Sequence, residues 1–189
     1  MLEQRIQQQF FESADLLYQS AEGLSRPVAL AAQMLVDGIT SGTRVLCCGL
    51  GVAELDARYM ATLLVGGFER ERPGLAAIAL DGQTGGADPS AALQRQIQTL
   101  GHPGDLLLLF AAPTCDARHA ELVAAAHAQE ISVIAVTGSQ DEALRGRLQD
   151  TDVQIRVPHS RPGRAAEAQR LLSHCLCDAI DMQLLGSSD

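Results

Sequence analysis

The chain has 189 residues, of which 47% are apolar, and this favours a single α/β domain with a sizeable core. Its 14 basic and 23 acidic side chains give a net charge of −9, which argues against a nucleic-acid-binding surface. All 14 basic residues are arginine, which excludes a P-loop lysine, a lysine Schiff base and a lysine general base.

No N-terminal segment has the basic, apolar and small-residue order of a signal peptide, and no apolar run approaches the ~18 residues that span a membrane. A soluble, cytoplasmic protein is therefore expected. The odd number of cysteines favours reduced thiols over a disulfide framework, and their spacing does not suit a metal site. All five are interpreted as small core residues: Cys47, Cys48, Cys115, Cys175 and Cys177.

Two amphipathic helices are predicted ahead of the first strand. The first carries an apolar stripe with spacings of four, four, four and three residues: Leu2, Ile6, Phe10, Ala14 and Leu17. The second is expected to start at Ser25, with Pro27 in its first turn, and to stop near Gly38 and Gly42. A helical pair of this kind often has no room on its own sheet and packs on a partner subunit, so an oligomer is predicted.

Short apolar runs then alternate with helical stretches, which is typical of parallel strands buried on both faces. Five parallel strands are predicted over residues 45–48, 75–80, 106–110, 131–136 and 153–157. Helices are predicted over residues 54–65, 89–100, 116–129, 141–148 and 164–185, with a mobile loop over 82–88. The fold class is therefore α/β, in one domain: an N-terminal helical pair (1–42), a parallel core (43–160) and a C-terminal helix and tail (161–189).

In an open α/β sheet, ligands bind beyond the carboxyl ends of the strands. After the first predicted strand, Gly49 and Gly51 form a Gly-x-Gly turn before a helix, where a phosphate can approach the backbone. The third glycine of the dinucleotide fingerprint is replaced by Glu54, whose carboxylate opposes a pyrophosphate. A tight structural turn is therefore favoured over a nicotinamide-cofactor site.

The turn after the third predicted strand offers one hydroxyl, on Thr114, near a helix start. Asp116 is interpreted as the N-cap of the following helix rather than as a catalyst. Two chemical alternatives are less favoured: a thiolate pair of Cys115 and His119, and a metal bound by Asp116 and His119, which lacks a visible third ligand.

Glu167 and His174 are seven residues apart on the last predicted helix and so share one face. A carboxylate and an imidazole in this arrangement can share proton-transfer work. A charged pair at a subunit interface is the commoner explanation.

Several segments resemble the sugar isomerase (SIS) domain family: CCGxG at 47–51, FERERPGLAAIAL at 68–80, LGHPGDLLL at 100–108, VTG at 136–138, VQIRVP at 153–158 and HCLCDAID at 174–181. Within the family the chain resembles the phosphoheptose isomerase branch, and in that branch it most closely resembles the DnaA initiator-associating protein, DiaA. The resemblance implies a flavodoxin-like three-layer sandwich and a homotetramer.

The expected function depends on where this sequence differs from the motifs of active phosphoheptose isomerases. The Gly-Asn-Gly-Gly-Ser turn of active phosphoheptose isomerases reads Gly-Leu-Gly-Val-Ala at 49–53, and their phosphate loop, Ser-Thr-Ser-Gly-Asn-Ser, corresponds to residues 111–116. Donors to the phosphate are lost, each worth roughly 1.5–3 kcal/mol as a charge-assisted hydrogen bond, and Asp116 adds an anion.

The metal and catalytic positions that the resemblance implies are also changed. The His and Glu of the family fall at Tyr59 and Leu63, and its Gln and His fall at Ala166 and His174. One ligand of four remains, and one imidazole does not hold zinc. The general base of the family falls at Leu63 and its acid at His174, so a degenerate catalytic site with no metal and no cofactor is expected.

Two functions follow from these departures. The favoured one is a non-catalytic homotetrameric scaffold that binds the initiator DnaA through Leu184 and Leu185, without contacting DNA itself. The alternative is a phosphoheptose isomerase-like or sugar-phosphate-binding protein, of the sedoheptulose 7-phosphate class, that retains ligand binding in the SIS cleft. The cleft residues would be Gly49, Gly51, Ala53, Thr114, Asp116 and Glu167.

Overall fold

The computed structural model describes residues 1–83 and 88–186, and helices and strands alternate along it as the sequence predicts. In chain order the elements are α1 (Leu2–Thr40), β1 (Val45–Gly49), α2 (Ala53–Gly66), β2 (Ala77–Ala79), α3 (Pro89–Leu100), β3 (Leu106–Ala111), α4 (Ala117–His127), β4 (Ser132–Thr137), β5 (Val153–Arg156) and α5 (Pro162–Leu185). One short 3₁₀ turn, Glu142–Leu144, lies between β4 and β5.

The five strands form one parallel sheet in the order β2-β1-β3-β4-β5, which confirms the predicted five-stranded parallel sheet. Every residue of β1 and β3 is buried, because helices cover both faces of the sheet. β2 is shorter than predicted, since it lies at the sheet edge and pairs with β1 alone. This strand order has its switch point between β1 and β3, so the turns after these two strands flank the crevice where such sheets bind ligands.

The core has two layers, one on each face of the sheet, which completes the predicted three-layer sandwich. α1, α2 and α5 cover one face, and α3 and α4 cover the other. Cys47 and Cys48 are neighbours on β1 and point into different layers, as expected for a strand. All five cysteines are free thiols, but Cys175 is exposed and Cys115 is half-buried, so the prediction that all five are core residues is wrong for these two.

The two predicted N-terminal helices are one continuous helix, α1, with Pro27 inside it. A proline removes only one intrahelical hydrogen bond, here the one to the carbonyl of Gly23. Packing outweighs that loss, because Val28, Ala31 and Leu35 on the following turns are buried in the core of this chain. The second half of α1 therefore does have room on its own domain, which corrects the prediction for that half.

The helix predicted over 141–148 is wrong, because only the 3₁₀ turn Glu142–Leu144 forms there. Gly146 has a φ of +68°, a left-handed conformation that ends a right-handed helix. The Asp141 carboxylate is turned toward β5, where it accepts a hydrogen bond from Gln154 at 2.8 Å and pairs with Arg156 at 2.9 Å.

A buried ion pair joins the segment after α2 to α5. The Nε of Arg72 donates to Oδ1 of Asp181 at 2.5 Å, and both side chains are almost completely buried. The same guanidinium donates to the carbonyl oxygens of Leu63 and Leu64 at the end of α2. Arg72 thus fixes the segment between α2 and β2 against α5.

Residues 84–87 of the predicted mobile loop lie outside the described residues. At its edges, Gly82 is buried and Asp88 is the N-cap of α3, accepting a hydrogen bond from the backbone N–H of Ser90. Within residues 1–83 and 88–186, no helix combines the length and the apolar composition needed to cross a membrane.

Candidate functional site

The β1–α2 turn brings together three of the predicted cleft residues. A side chain at Gly49 would meet the carbonyl oxygen of Ala53 at 2.5 Å, so only glycine fits there, and Gly51 has a φ of +62°. Ala53 opens α2, whose N-cap Val52 makes no side-chain cap hydrogen bond. Glu54 lies in the first turn of α2, as predicted, and pairs with Arg58 at 2.8 Å.

At the β3–α4 turn, side chains of the turn itself hydrogen-bond to the free backbone N–H groups at the start of α4. Asp116 is the N-cap of α4 and accepts from the backbone N–H of Arg118, which confirms the predicted cap. His119 completes a capping box, since its Nδ1 accepts from the backbone N–H of Asp116 at 3.1 Å. The guanidinium of Arg118 holds the pKa of the Asp116 carboxyl well below its usual range. Thr114, the predicted hydroxyl, is exposed at the same turn.

A thiolate pair of Cys115 and His119 is contradicted by this geometry. Burial raises the pKa of the Cys115 thiol to about 12, with the nearby carboxylates of Asp116 and Asp141 adding to the shift. Burial also lowers the pKa of His119, whose Nδ1 is already engaged by Asp116. Among the described residues there is no group of three or more histidine, cysteine or carboxylate side chains that fits a metal ion.

Polar and aromatic side chains from α2, from α5 and from the segment after α2 form a second group, here called the α2–α5 cluster: Asp56, Tyr59, Phe68, Arg170 and His174. The Tyr59 hydroxyl lies 2.7 Å from Nε2 of His174. The ring of Phe68 stacks on the imidazole, with centroids 5.0 Å apart. Tyr59 and His174 are both half-buried, so the pair is fixed in place and still open to solvent.

Arg170 links Tyr59 to a buried carboxylate. Its guanidinium lies over the Tyr59 ring, 3.8 Å from the centroid, and pairs with Asp56 at 3.1 Å. Burial raises the pKa of Asp56, although the charge of Arg170 opposes that shift. Gln169 donates to the other oxygen of the Asp56 carboxylate at 3.4 Å. The cluster therefore holds a cation against the face of the phenol that contacts His174.

The structure does not bring Glu167 and His174 together, although they lie on one helix. Glu167 accepts from the hydroxyl of Ser13 on α1 at 2.7 Å and pairs with Arg164. His174 contacts Tyr59 instead. The less favoured hypothesis, shared proton transfer between Glu167 and His174, is therefore wrong, and Glu167 is bound to α1 rather than to either turn of the predicted cleft.

The remaining predicted site residues have apolar side chains that cannot bind a metal ion or transfer a proton. Leu63 packs against the core and Ala166 is half-buried on α5; neither side chain has a donor atom. Leu184 also packs against the core, while Leu185, the last residue of α5, is 40% exposed. Only one of the two adjacent leucines is therefore free at the surface.

Sequence reasoning missed Arg170, Asp56 and Phe68. Arg170 precedes His174 by four residues, and Asp56 precedes Tyr59 by three, so each pair shares a helix face. That spacing is a local signal by which the first two could have been found. The stacking of Phe68 depends on the path of the segment after α2, for which the sequence pattern offers no signal.

The layered fold, the strand order and the glycine turn at its switch point are those of a sugar isomerase domain. The family model described as "SIS domain" matches residues 9–138, and the chain belongs to the SIS domain family. Within that family it lies in the phosphoheptose isomerase branch. It is 50% identical to the phosphoheptose isomerase of Methylibium petroleiphilum, over 100% of this chain and 98% of that one.

Solved structures agree. A phosphoheptose isomerase from Francisella tularensis superposes with a TM-score of 0.88 at 32% identity, covering 96% of this chain and 99% of that one. The phosphoheptose isomerase from Neisseria gonorrhoeae gives a TM-score of 0.87 at 31% identity, with the same coverage.

These comparisons overturn the expected function as a non-catalytic scaffold for DnaA. Three curated relatives that match 98–100% of the chain at 38–50% identity are named phosphoheptose isomerase, and so are two solved structures, at 31–32% identity, that superpose over 96% of it. The assignment of Leu184 and Leu185 as an initiator contact depended on that function and is left without support.

Proposed function

We propose that this chain is a phosphoheptose isomerase-like protein that binds a sugar phosphate of the sedoheptulose 7-phosphate class in its SIS cleft. The observation that carries the proposal is the 50% identity to a curated phosphoheptose isomerase over the entire chain. Similarity over the whole length includes both turns at the switch point of the sheet and both helices of the α2–α5 cluster.

In this proposal the phosphate binds at the β1–α2 turn rather than at the β3–α4 turn. The start of α4 is occupied by the Asp116 carboxylate, which repels an anion. The start of α2 has no side-chain cap, and its glycines let a ligand approach the backbone. The nearby carboxylate of Glu54 is neutralised by Arg58.

Tyr59 and His174 supply the acid–base group of the proposed site. Isomerisation of a ketose to an aldose moves protons between neighbouring carbons and between their oxygens, so a group that can donate and recover a proton is needed. The Tyr59 hydroxyl can donate its proton to a substrate oxygen and recover one from Nε2 of His174, 2.7 Å away, while the imidazole takes up in exchange the proton released by the substrate carbon. Tyr59 lies six residues along α2 from Ala53, about 9 Å from the phosphate end of the site.

A zinc ion does not fit the residues at the positions where the family resemblance implies metal ligands. Leu63 and Ala166 carry no donor atom, and the Tyr59 hydroxyl is hydrogen-bonded to the one imidazole, His174. We therefore derive no step through a metal, and the proposed proton transfer uses only side chains of this chain.

Calorimetric titration with sedoheptulose 7-phosphate tests the binding site. We expect one site per chain, and weaker binding of unphosphorylated sedoheptulose and of inorganic phosphate. Val52→Asp places an anion at the exposed start of α2 and is expected to weaken binding at least tenfold. Val65→Asp, at the other end of the same helix and also exposed, is the matched control. Absence of binding to the heptulose phosphate would contradict the function, and equal binding by both variants would contradict the site.

An isomerase assay in the presence of a chelator tests the acid–base pair. Removal of a general acid–base group costs roughly 10²–10⁴-fold in rate. We expect turnover that the chelator does not remove, that is lost in His174→Asn and that falls in Tyr59→Phe. Tyr18→Phe alters the other tyrosine, which is exposed on α1, and should leave the rate unchanged. Turnover that is unaffected by both site variants would refute the assigned roles.

A further inference from the structure

Arg170 is the one arginine, among the described residues, that contacts the Tyr59–His174 pair. Its guanidinium lies 3.8 Å from the centroid of the Tyr59 ring and pairs with Asp56 at 3.1 Å. The Asp56 side chain is 8% exposed and the Arg170 side chain is 40% exposed, so a buried carboxylate anchors a cation that still faces solvent. The remaining N–H groups of this guanidinium make no hydrogen bond to any described residue, and they can therefore bind a ligand.

The chemistry of these N–H groups suits an anion with two neighbouring oxygens, because the planar guanidinium matches such a pair. In the isomerisation of a ketose, loss of a proton from the carbon beside the ketone moves an electron pair onto the carbonyl oxygen. The enediolate that forms carries this negative charge next to a second oxygen. A fixed cation at that oxygen pair stabilises the enediolate more than the uncharged ketose, and such a difference lowers the barrier to reaction.

Arg170 also lies between the positions where the family resemblance implies metal ligands. Ala166, Arg170 and His174 follow one another at intervals of four residues, so they share one face of α5. Opposite this face, the guanidinium covers Tyr59, which is one of the two implied positions on α2. A cation in this place opposes the binding of zinc and supplies a positive charge of its own.

We propose that Arg170 takes the place of a metal ion in this site and binds the negatively charged oxygens that form on the substrate during isomerisation. This inference rests on the proposed function, because it assigns Arg170 a part in that same reaction. His174 takes up the proton of the substrate carbon and Tyr59 donates one to a substrate oxygen, while Arg170 holds the enediolate between them. Asp56 keeps the guanidinium over Tyr59 and so positions Arg170 without contacting the substrate.

Calorimetric titration with two stable sugar phosphates tests the charge that Arg170 recognises. The 7-phosphates of heptonate and of heptitol differ at carbon 1, where the first carries a carboxylate, similar to the oxygen pair of the enediolate, and the second an alcohol. The wild type is expected to bind the heptonate roughly tenfold more tightly. Arg170→Gln should remove this preference without weakening the binding of the heptitol, and Arg170→Lys, which keeps the charge but not the planar group, should retain part of it.

Arg95→Gln is the matched control for this titration. It removes the same charge from an exposed arginine on α3, which covers the other face of the sheet, so it should keep the wild-type preference. Circular dichroism checks that each variant folds. Equal binding of both compounds by the wild type, or an unchanged preference in Arg170→Gln, would overturn the role of Arg170 and leave the proposed function standing. Failure to bind either compound would contradict the proposed function itself.

Zinc content after equilibration with micromolar zinc, measured by atomic absorption, tests the place of Arg170 independently of any sugar binding. The wild type is expected to hold far less than one zinc ion per chain. Tyr59→His, Leu63→Glu and Ala166→Gln together restore the implied ligands beside His174. With Arg170 retained, this triple variant should still bind zinc poorly, and addition of Arg170→Leu should raise its zinc affinity roughly tenfold or more. A full equivalent of zinc in the wild type, or equal zinc binding by the triple variant with and without Arg170, would overturn the inference.

Discussion

The α2–α5 cluster and the β3–α4 turn are both polar groups near the sheet, but they are assembled over very different distances along the chain. Tyr59 and His174 are 115 residues apart, and the Arg72–Asp181 pair, which also connects to α5, joins residues 109 apart. At the β3–α4 turn, Asp116, Arg118 and His119 bond to partners within three residues. The first group exists only in the folded domain, whereas the second depends mainly on the local course of the chain.

The largest expected effect comes from breaking the buried Arg72–Asp181 pair, which, like the cluster, joins residues far apart in the chain. In Arg72→Leu the Asp181 carboxylate stays buried without its partner, and loss of one member of a buried pair costs about 3–5 kcal/mol of unfolding free energy. The segment that holds Phe68 against His174 is also released. Urea unfolding measures the loss, with the exposed Glu71→Gln as control. A loss below about 1 kcal/mol would show that the buried pair contributes no more to stability than an ordinary surface contact.

A smaller effect is expected at the local group. Asp116→Ala removes the N-cap of α4 and should cost about 1 kcal/mol of unfolding free energy. Asp116→Ser keeps a capping oxygen without the charge, so its unfolding free energy should stay close to that of the wild type. If Asp116→Ala lowers the unfolding free energy as much as Arg72→Leu does, the claim that the long-range ion pair stabilises the domain more than the local cap is wrong.

The smallest expected effect is a pH dependence centred on His119. Burial lowers the pKa of this imidazole below its ordinary value of about 6.5, so on acidification the unfolded chain takes up the proton first. The unfolding free energy contributed here is therefore present above about pH 6.5 and falls as the pH drops below it. Urea unfolding between pH 7.5 and 5.5 should show a shallower decline in His119→Gln. Identical slopes for the variant and the wild type would contradict this.

The same difference in sequence separation between bonded residues explains which features could be predicted from the sequence and which could not. The α4 cap at Asp116 was predictable because its partners are two and three residues away. The pairing of Tyr59 with His174 could not be predicted from local spacing, since nothing within one helix indicates which residue of another helix will face it. Only the family resemblance, which places both residues at metal-ligand positions, brings them to one site. The predicted helix start near Pro27 was wrong for a related reason. A proline locally favours the first turn of a helix, but here the burial of Val28, Ala31 and Leu35 outweighs that preference and α1 continues through it. The strands were predictable because continuous apolar runs indicate burial on both faces.

The contact between α1 and α5 also sets an order of events during synthesis. α1 leaves the ribosome well before α5, against which much of its buried face packs. At about 5–20 residues per second, the ~145 residues between the two helix ends take roughly 7–30 s to emerge. Throughout that interval the apolar face of α1 lacks its final cover, so the nascent chain is expected to expose a binding site for a chaperone that recognises amphipathic helices.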